Sequence, residues 1–220
     1  MEFNKGLIYK IIDNKIDKLK LKHLNEQDLN ILYHALNLNH SLKSLDLSYS
    51  KIKDITLLCK CLRNNSCLKC LKLYDNEIKD ITPLKFLSNS CLKVLYLYNN
   101  QIKDISSLKF LENSCLQKLC LSFNKIEDIT PLQYLENKHC LKELYLSCNK
   151  IEDITPLNFL SNSCLEYLYL SNNKIEDITP LKFLSNSCLK VLYLNNNQIN
   201  NQDIQKIKKL AELKQIKLSI

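Results

Sequence analysis

Two residue types recur at spacings that could do chemistry. Asp54, Asp80, Asp104, Asp128, Asp153 and Asp177 return at near-constant intervals, and so do Cys67, Cys91, Cys115, Cys140, Cys164 and Cys188. Paired carboxylates can act as general acid and base. Stacked thiols can oxidise or hold a soft metal. Cys59-x-Cys61 followed by Cys67-x-x-Cys70 also has zinc-like spacing. Each set recurs because the chain itself recurs, so its first meaning is structural. The aspartates precede helix starts, where negative charge is favoured. The cysteines read as small, semi-buried thiols at the turn into a strand. Cys59 and Cys61 fall on a helix and Cys70 on the opposite face, so no zinc tetrahedron converges. His23, His34, His40 and His139 are scattered, and the one glycine, Gly6, excludes a glycine-rich phosphate loop. No catalytic, cofactor-binding or metal-binding residue is assigned, and the expectation is a chain that is not an enzyme.

The elements that would position these residues follow from the repeat. Leu42-Lys-Ser-Leu45-Asp-Leu47 returns at Leu68, Leu92, Leu116, Leu141, Leu165 and Leu189. The steps are 24 residues, apart from 26 after Leu42 and 25 after Leu116. Weaker copies stand at Ile16–Leu21 and Leu213–Leu218, giving nine expected strands. Asn76, Asn100, Asn124, Asn149, Asn173 and Asn197 fall in register, with Ser50 and Leu24 in the first copies. An amide side chain there can satisfy the turn that leaves each strand and tie one unit to the next. All four prolines, Pro83, Pro131, Pro156 and Pro180, follow a threonine. Thr as N-cap with Pro at the first helical residue predicts a short helix in most units, with Ser106-Ser107 capping the one that lacks proline. Phe86, Phe110, Tyr134, Phe159 and Phe183 then form an aromatic column between adjacent helices.

The pattern L-x-x-L-x-L-x-x-N-x-I resembles the leucine-rich-repeat family over about residues 16–220. The following Asp-Ile-Thr-Pro-Leu-x-Phe-Leu is similar to the internalin and phosphatase-regulator type, and Asp28–Leu36 to the ribonuclease-inhibitor type. The resemblance implies an α/β solenoid, with a curved parallel sheet on the concave face and short helices on the convex face. Residues 1–15 read as an N-terminal cap, 16–201 as repeats, and 202–220 as a C-terminal capping helix and last strand. A lone unit cannot bury its own leucines, whereas stacked units share one core.

Side chains alternate along a strand, so the residues between the leucines face outward. The central column reads Lys20, Asp46, Lys72, Tyr96, Cys120, Tyr145, Tyr169, Tyr193 and Lys217. The next reads Lys22, Ser48, Tyr74, Tyr98, Ser122, Ser147, Ser171, Asn195 and Ser219, with Tyr49, Phe123 and Tyr167 beside them. Eight of the eleven tyrosines fall on this face, where they add nothing to the leucine core. Tyrosine offers wide contact with a polar tip at small entropic cost. The expected partner is another protein, contacted by Tyr74, Tyr96, Tyr98, Phe123, Tyr145, Tyr167, Tyr169 and Tyr193. Cross-strand stacking is the competing explanation of the rings. A lysine row borders the face: Lys43, Lys69, Lys93, Lys142 and Lys190, broken by Gln117 and Glu166. Single-stranded RNA binding, with rings stacking bases and lysines on phosphates, and a structural repeat without a dedicated partner are the alternatives.

Composition narrows the setting. The net charge of +8 is concentrated at the ends, since residues 1–22 and 200–220 each carry +3. The near-balanced middle argues against a continuous nucleic-acid stripe. The first apolar stretch, Leu7–Ile12, is too short for a signal peptide or membrane span. Eleven cysteines is an odd number, and most sit at one repeat position, unlike a secreted disulfide framework. The expectation is a monomeric cytoplasmic protein that contacts no membrane, in the host cytosol if it comes from an intracellular parasite or virus.

Overall fold

In a computed structural model of the chain the described residues are 4–138, 140–186 and 188–220, without the side chains of 136–138, 162 and 183–186. His139 and the Phe183 side chain therefore lie outside the described residues. Among the described residues nine strands form one open sheet in sequence order, every neighbouring pair parallel. They are β1 (Lys18–Lys20), β2 (Ser44–Asp46), β3 (Cys70–Lys72), β4 (Val94–Tyr96) and β5 (Lys118–Cys120), then β6 (Glu143–Tyr145), β7 (Tyr167–Tyr169), β8 (Val191–Tyr193) and β9 (Lys217–Ser219). Helices α1 (Lys5–Ile12), α2 (Glu26–Asn37) and α3 (Thr56–Leu62) serve the first units, and α4 (Asn201–Lys214) precedes β9. The units between carry 3₁₀ segments: Thr82–Leu87, Ser106–Leu111, Thr130–Lys138, Thr155–Asn162 and Thr179–Asn186.

The repeat arithmetic explains this layout. Leu45, Leu71, Leu95, Leu119, Leu144, Leu168 and Leu192 pair in register and are fully buried. Each contributes on the order of 1.5–3 kcal/mol when removed from water, but only because the next unit covers it. The asparagine column closes the turns as expected. Asn100 Oδ1 accepts the N–H of Ile78 (3.0 Å), while its Nδ2 donates to the carbonyls of Leu73 and Leu97 (both 3.0 Å). The same bonds recur at Asn76, Asn124, Asn149, Asn173 and Asn197. One side chain thus satisfies groups on two consecutive units.

Three expectations are corrected. The helical segments are not capped by threonine. In the proline units at Thr82 and Thr155 the residue before the helix is an isoleucine that makes no side-chain cap bond. The aspartate two residues before the Thr or Ser accepts that residue's N–H instead, at 2.7–2.8 Å in all six units. A carboxylate bonds an N–H more strongly than a hydroxyl does.

The last strand is also out of the expected phase. Leu192 pairs with Leu218 and Tyr193 with Ser219, so Lys217 stands beside Val191 and Ser219 takes the central column. Leu213 belongs to α4 and is 77% exposed. The helix runs on to Lys214 and closes at left-handed Gln215 (φ 56°), whose N–H returns to the carbonyls of Ala211 and Glu212. The leucine spacing alone could not separate a longer helix from an earlier strand.

Finally, most of the cysteine row is more open than the semi-buried turn position expected of it. Cys91, Cys115, Cys164 and Cys188 are exposed and Cys67 and Cys140 half-buried, whereas Cys59 and Cys120 are the buried pair. Each row member sits just outside the core boundary set by the following leucine.

Candidate functional site

The outward face of the sheet is organised by contacts on every strand from β3 to β8; on β5 Cys120 takes the ring's place and Lys118 reaches in from the neighbouring row. Lys72 Nζ lies 5.6 Å from the Tyr96 ring centre. Lys118 Nζ lies 5.5 Å from Tyr96 and 5.1 Å from Tyr145. Tyr145 stacks on Tyr169 at 4.5 Å with planes 8° apart, and Tyr169 meets Tyr193 edge-on at 4.9 Å. Parallel in-register pairing brings the rings together, because each strand presents the same position one strand spacing from the last. Such ring pairs add about 0.5–1.5 kcal/mol beyond area burial.

A polar lock sits in the middle of this line. Lys118 Nζ pairs with Glu143 at 2.5 Å, and the Tyr145 hydroxyl donates to Glu143 Oε2 at 2.6 Å. Burial alone would lower the Lys118 pKa and raise that of Glu143. The bonds outweigh burial, so Lys118 is held above and Glu143 below its ordinary value. Burial and the same carboxylate push the Tyr145 hydroxyl up. Cys120 lies beneath this cluster, 7% exposed although it occupies an outward position. Its thiol is raised by burial to about 11.

A second aromatic line runs along the strand exits nearer the N-terminus. His23 lies 6.2 Å from Tyr49, Tyr49 meets Tyr74 edge-on at 5.4 Å, and Tyr74 stacks on Tyr98 at 4.5 Å. Lys22 Nζ sits 4.2 Å from the Tyr49 ring centre. Other outward positions here are not open: Asp46 and Ser48 are buried, and Lys20 lies 3.8 Å from Asp46.

Of the expected contact residues, Tyr96, Tyr145, Tyr169 and Tyr193 share the first line, and Tyr74 and Tyr98 the second. Tyr167 stands on the neighbouring row between Glu143 and Val191. Phe123 belongs to neither line and is 56% exposed. Sequence reasoning missed what sets Phe123 and Tyr49 apart. Both occupy a column of left-handed residues just before the asparagine column: Tyr49 (φ 61°), Asp75 (53°), Asn99 (52°), Phe123 (56°), Cys148 (57°) and Asn172 (55°). Asp and Asn tolerate this conformation, whereas bulky residues rarely do. The signal was present in the recurring Asp75, Asn99, Asn172 and Asn196, which mark the column as a turn position.

The recurrent aspartates are occupied as turn acceptors, and hydrogen bonds from Thr82 and Thr179 hold Asp80 and Asp177 below the ordinary carboxylate range. Among the described residues, no group of three or more His, Cys, Asp or Glu side chains is placed to hold a metal ion. Nor is any described helix long and apolar enough to cross a membrane.

Comparison with known proteins agrees with this geometry. Family models described as leucine rich repeats match residues 38–55, 68–110, 92–134, 116–160, 140–199 and 165–219. Among solved structures, internalin C2 of Listeria monocytogenes is 30% identical, with a TM-score of 0.58 over 88% of this chain and 84% of that one. A leucine-rich-repeat protein of Leptospira interrogans is 23% identical, with a TM-score of 0.66, and bears on the fold alone. That match covers 96% of this chain and 62% of the Leptospira chain. No curated protein sequence matches the chain.

Proposed function

Because this chain belongs to the leucine-rich-repeat family, whose fold is generally a protein–protein interaction scaffold, we propose that it is a non-enzymatic module holding a partner protein on the Tyr-rich face of its sheet. The observation that carries this reading is the exposure of Phe123 and Tyr49, large rings kept in a left-handed turn conformation that their type disfavours. Phe123 belongs to neither aromatic line, so folding gains little from its exposed ring, and strained positions cluster at binding sites. Around them, Tyr74, Tyr96, Tyr98, Tyr145, Tyr167, Tyr169 and Tyr193 are half-buried, with ring edges available to a partner.

The ring packing favours protein over single-stranded RNA. Sequential base stacking needs free ring faces. Tyr96 has a lysine near it on each side, Tyr145 lies between Lys118 and Tyr169, and Tyr74 lies between Tyr49 and Tyr98. The faces are largely used within the molecule.

The test immobilises the chain and captures proteins from its native cytosol, with nuclease present. Replacing Tyr96, Tyr145, Tyr169 and Tyr193 together with serine is expected to remove a captured protein while cooperative unfolding persists. A separate Phe123→Ser variant, which touches no ring stack, is expected to weaken the same capture. An unchanged set of captured proteins with both variants would defeat the site assignment.

A further inference from the structure

The cysteine row lies outside the recognition face. Cys67, Cys91, Cys115, Cys140, Cys164 and Cys188 each precede the first buried leucine of a unit, and none is in a disulfide. Four of the six are exposed, so the row is an accessible line of thiols along one edge of the solenoid.

Its spacing is set by backbone bonds two residues further on. The N–H of Lys93 donates to the carbonyl of Lys69 (2.8 Å), Gln117 to Lys93 (2.8 Å), Lys142 to Gln117 (2.9 Å), Glu166 to Lys142 (2.9 Å) and Lys190 to Glu166 (2.8 Å). Neighbouring cysteines therefore stand about one strand spacing apart, roughly 5 Å. At that backbone spacing, rotation about χ1 can bring two neighbouring sulfurs to the separation a bridging ion needs. A disulfide prefers Cβ atoms about 3.8 Å apart, and this row is wider. A thiolate–metal bond is about 2.3 Å, so one ion bridging two thiolates needs sulfurs about 4.6 Å apart. Zinc would require four ligands, and no cluster of three is present among the described residues. Soft thiolates select copper(I), an ion that two sulfurs can satisfy.

We propose that adjacent thiols of this row form two-coordinate sites for a soft monovalent cation of the copper(I) class. Binding releases one proton from each thiol to solvent and transfers no electron. Each filled site carries one net negative charge. Lys69, Lys93, Lys142 and Lys190, two residues beyond their cysteines, offset it, and Lys190 already interacts electrostatically with Cys188.

The test separates adjacency from thiol number. One variant, Cys140→Ser with Cys164→Ser and Cys188→Ser, keeps Cys67, Cys91 and Cys115 as neighbours. The other, Cys91→Ser with Cys140→Ser and Cys188→Ser, keeps Cys67, Cys115 and Cys164, which are two units apart. Both retain the same number of thiols and the same five cysteines outside the row. Reduced full-length chains are titrated anaerobically with copper(I) against a chromogenic chelator, and size is checked by gel filtration. The neighbour-keeping variant is expected to bind at least one further ion, at least tenfold more tightly, with sulfur-to-copper charge-transfer absorbance and unchanged size. Equal uptake by the two variants, no uptake by the unaltered chain, or uptake only with dimerisation overturns the proposal.

Discussion

The units at β2 and β7 share a leucine core but differ in almost everything laid upon it. At β2 the turn position is Ser50, whose buried Oγ has no hydrogen-bond partner, and the outward positions are the buried Asp46 and Ser48. The helical segments on either side are α-helical, α2 and α3. At β7 the turn position is Asn173, bonded to both neighbouring units, the outward position is the ring of Tyr169, and the helical segments are 3₁₀. The 26-residue step after Leu42 leaves room for a full α-turn that a 24-residue step does not. The leucines thus decide only the stacking. The outward positions are free to be closed off with polar locks near one end and opened into an aromatic surface nearer the other.

The largest expected effect tests the two turn positions. Asn173→Ala removes the acceptor for the Ile151 N–H and the donor to the carbonyls of Leu146 and Leu170. Buried groups left without partners cost about 1–3 kcal/mol each, so the variant should lose about 3 kcal/mol in urea unfolding. Ser50→Ala removes a buried hydroxyl that bonds nothing, so by the same cost it should raise stability, by roughly 1 kcal/mol. Similar losses in the two variants would break the comparison.

Much of this was legible in the leucine, asparagine and proline registers, because those residues act through backbone spacing that repeats through the central units. Nine strands in order, the common core and the amide column follow from that alone. What was not legible depends on geometry that spacing leaves open. Asp80 and Thr82 are both capping types, and only the bond distance shows that the carboxylate does the work. The Leu213–Leu218 spacing fits a helix end as well as a strand start. Cys91 and Leu92 are adjacent and both apolar in type, yet the core boundary passes between them. The outward tyrosines were visible, but not which rings would stack and which would stay open.

A middle-sized effect probes the lock in the middle of the first aromatic line. Glu143 has its pKa lowered in the folded chain by bonds from Lys118 and Tyr145 that outweigh burial. A depressed carboxylate contributes stability that is fully present above its unfolded value, about 4.3. That contribution fades as pH falls through the lower folded value. Lys118→Met should therefore cost about 1–2 kcal/mol at pH 7, with the gap to the unaltered chain narrowing below about pH 4. A gap independent of pH would mean that Lys118 acts through ring packing alone.

The smallest effect is the most telling, because two readouts should move in opposite directions. Phe123 holds the column that Asn99 and Asn172 hold elsewhere, with the same positive φ. Phe123→Asn places a residue suited to the left-handed region there, at a site where the ring is mostly exposed and covers little of the core. Relief of backbone strain should raise stability by roughly 0.5–1 kcal/mol. Partner capture should fall at the same time, since the exposed ring is gone. A chain that became more stable and bound as before would show that Phe123 is a tolerated irregularity. One that bound less without gaining stability would mean the left-handed turn costs phenylalanine nothing. Only the joint result, tighter folding with weaker capture, is what a ring kept in a strained position for recognition requires.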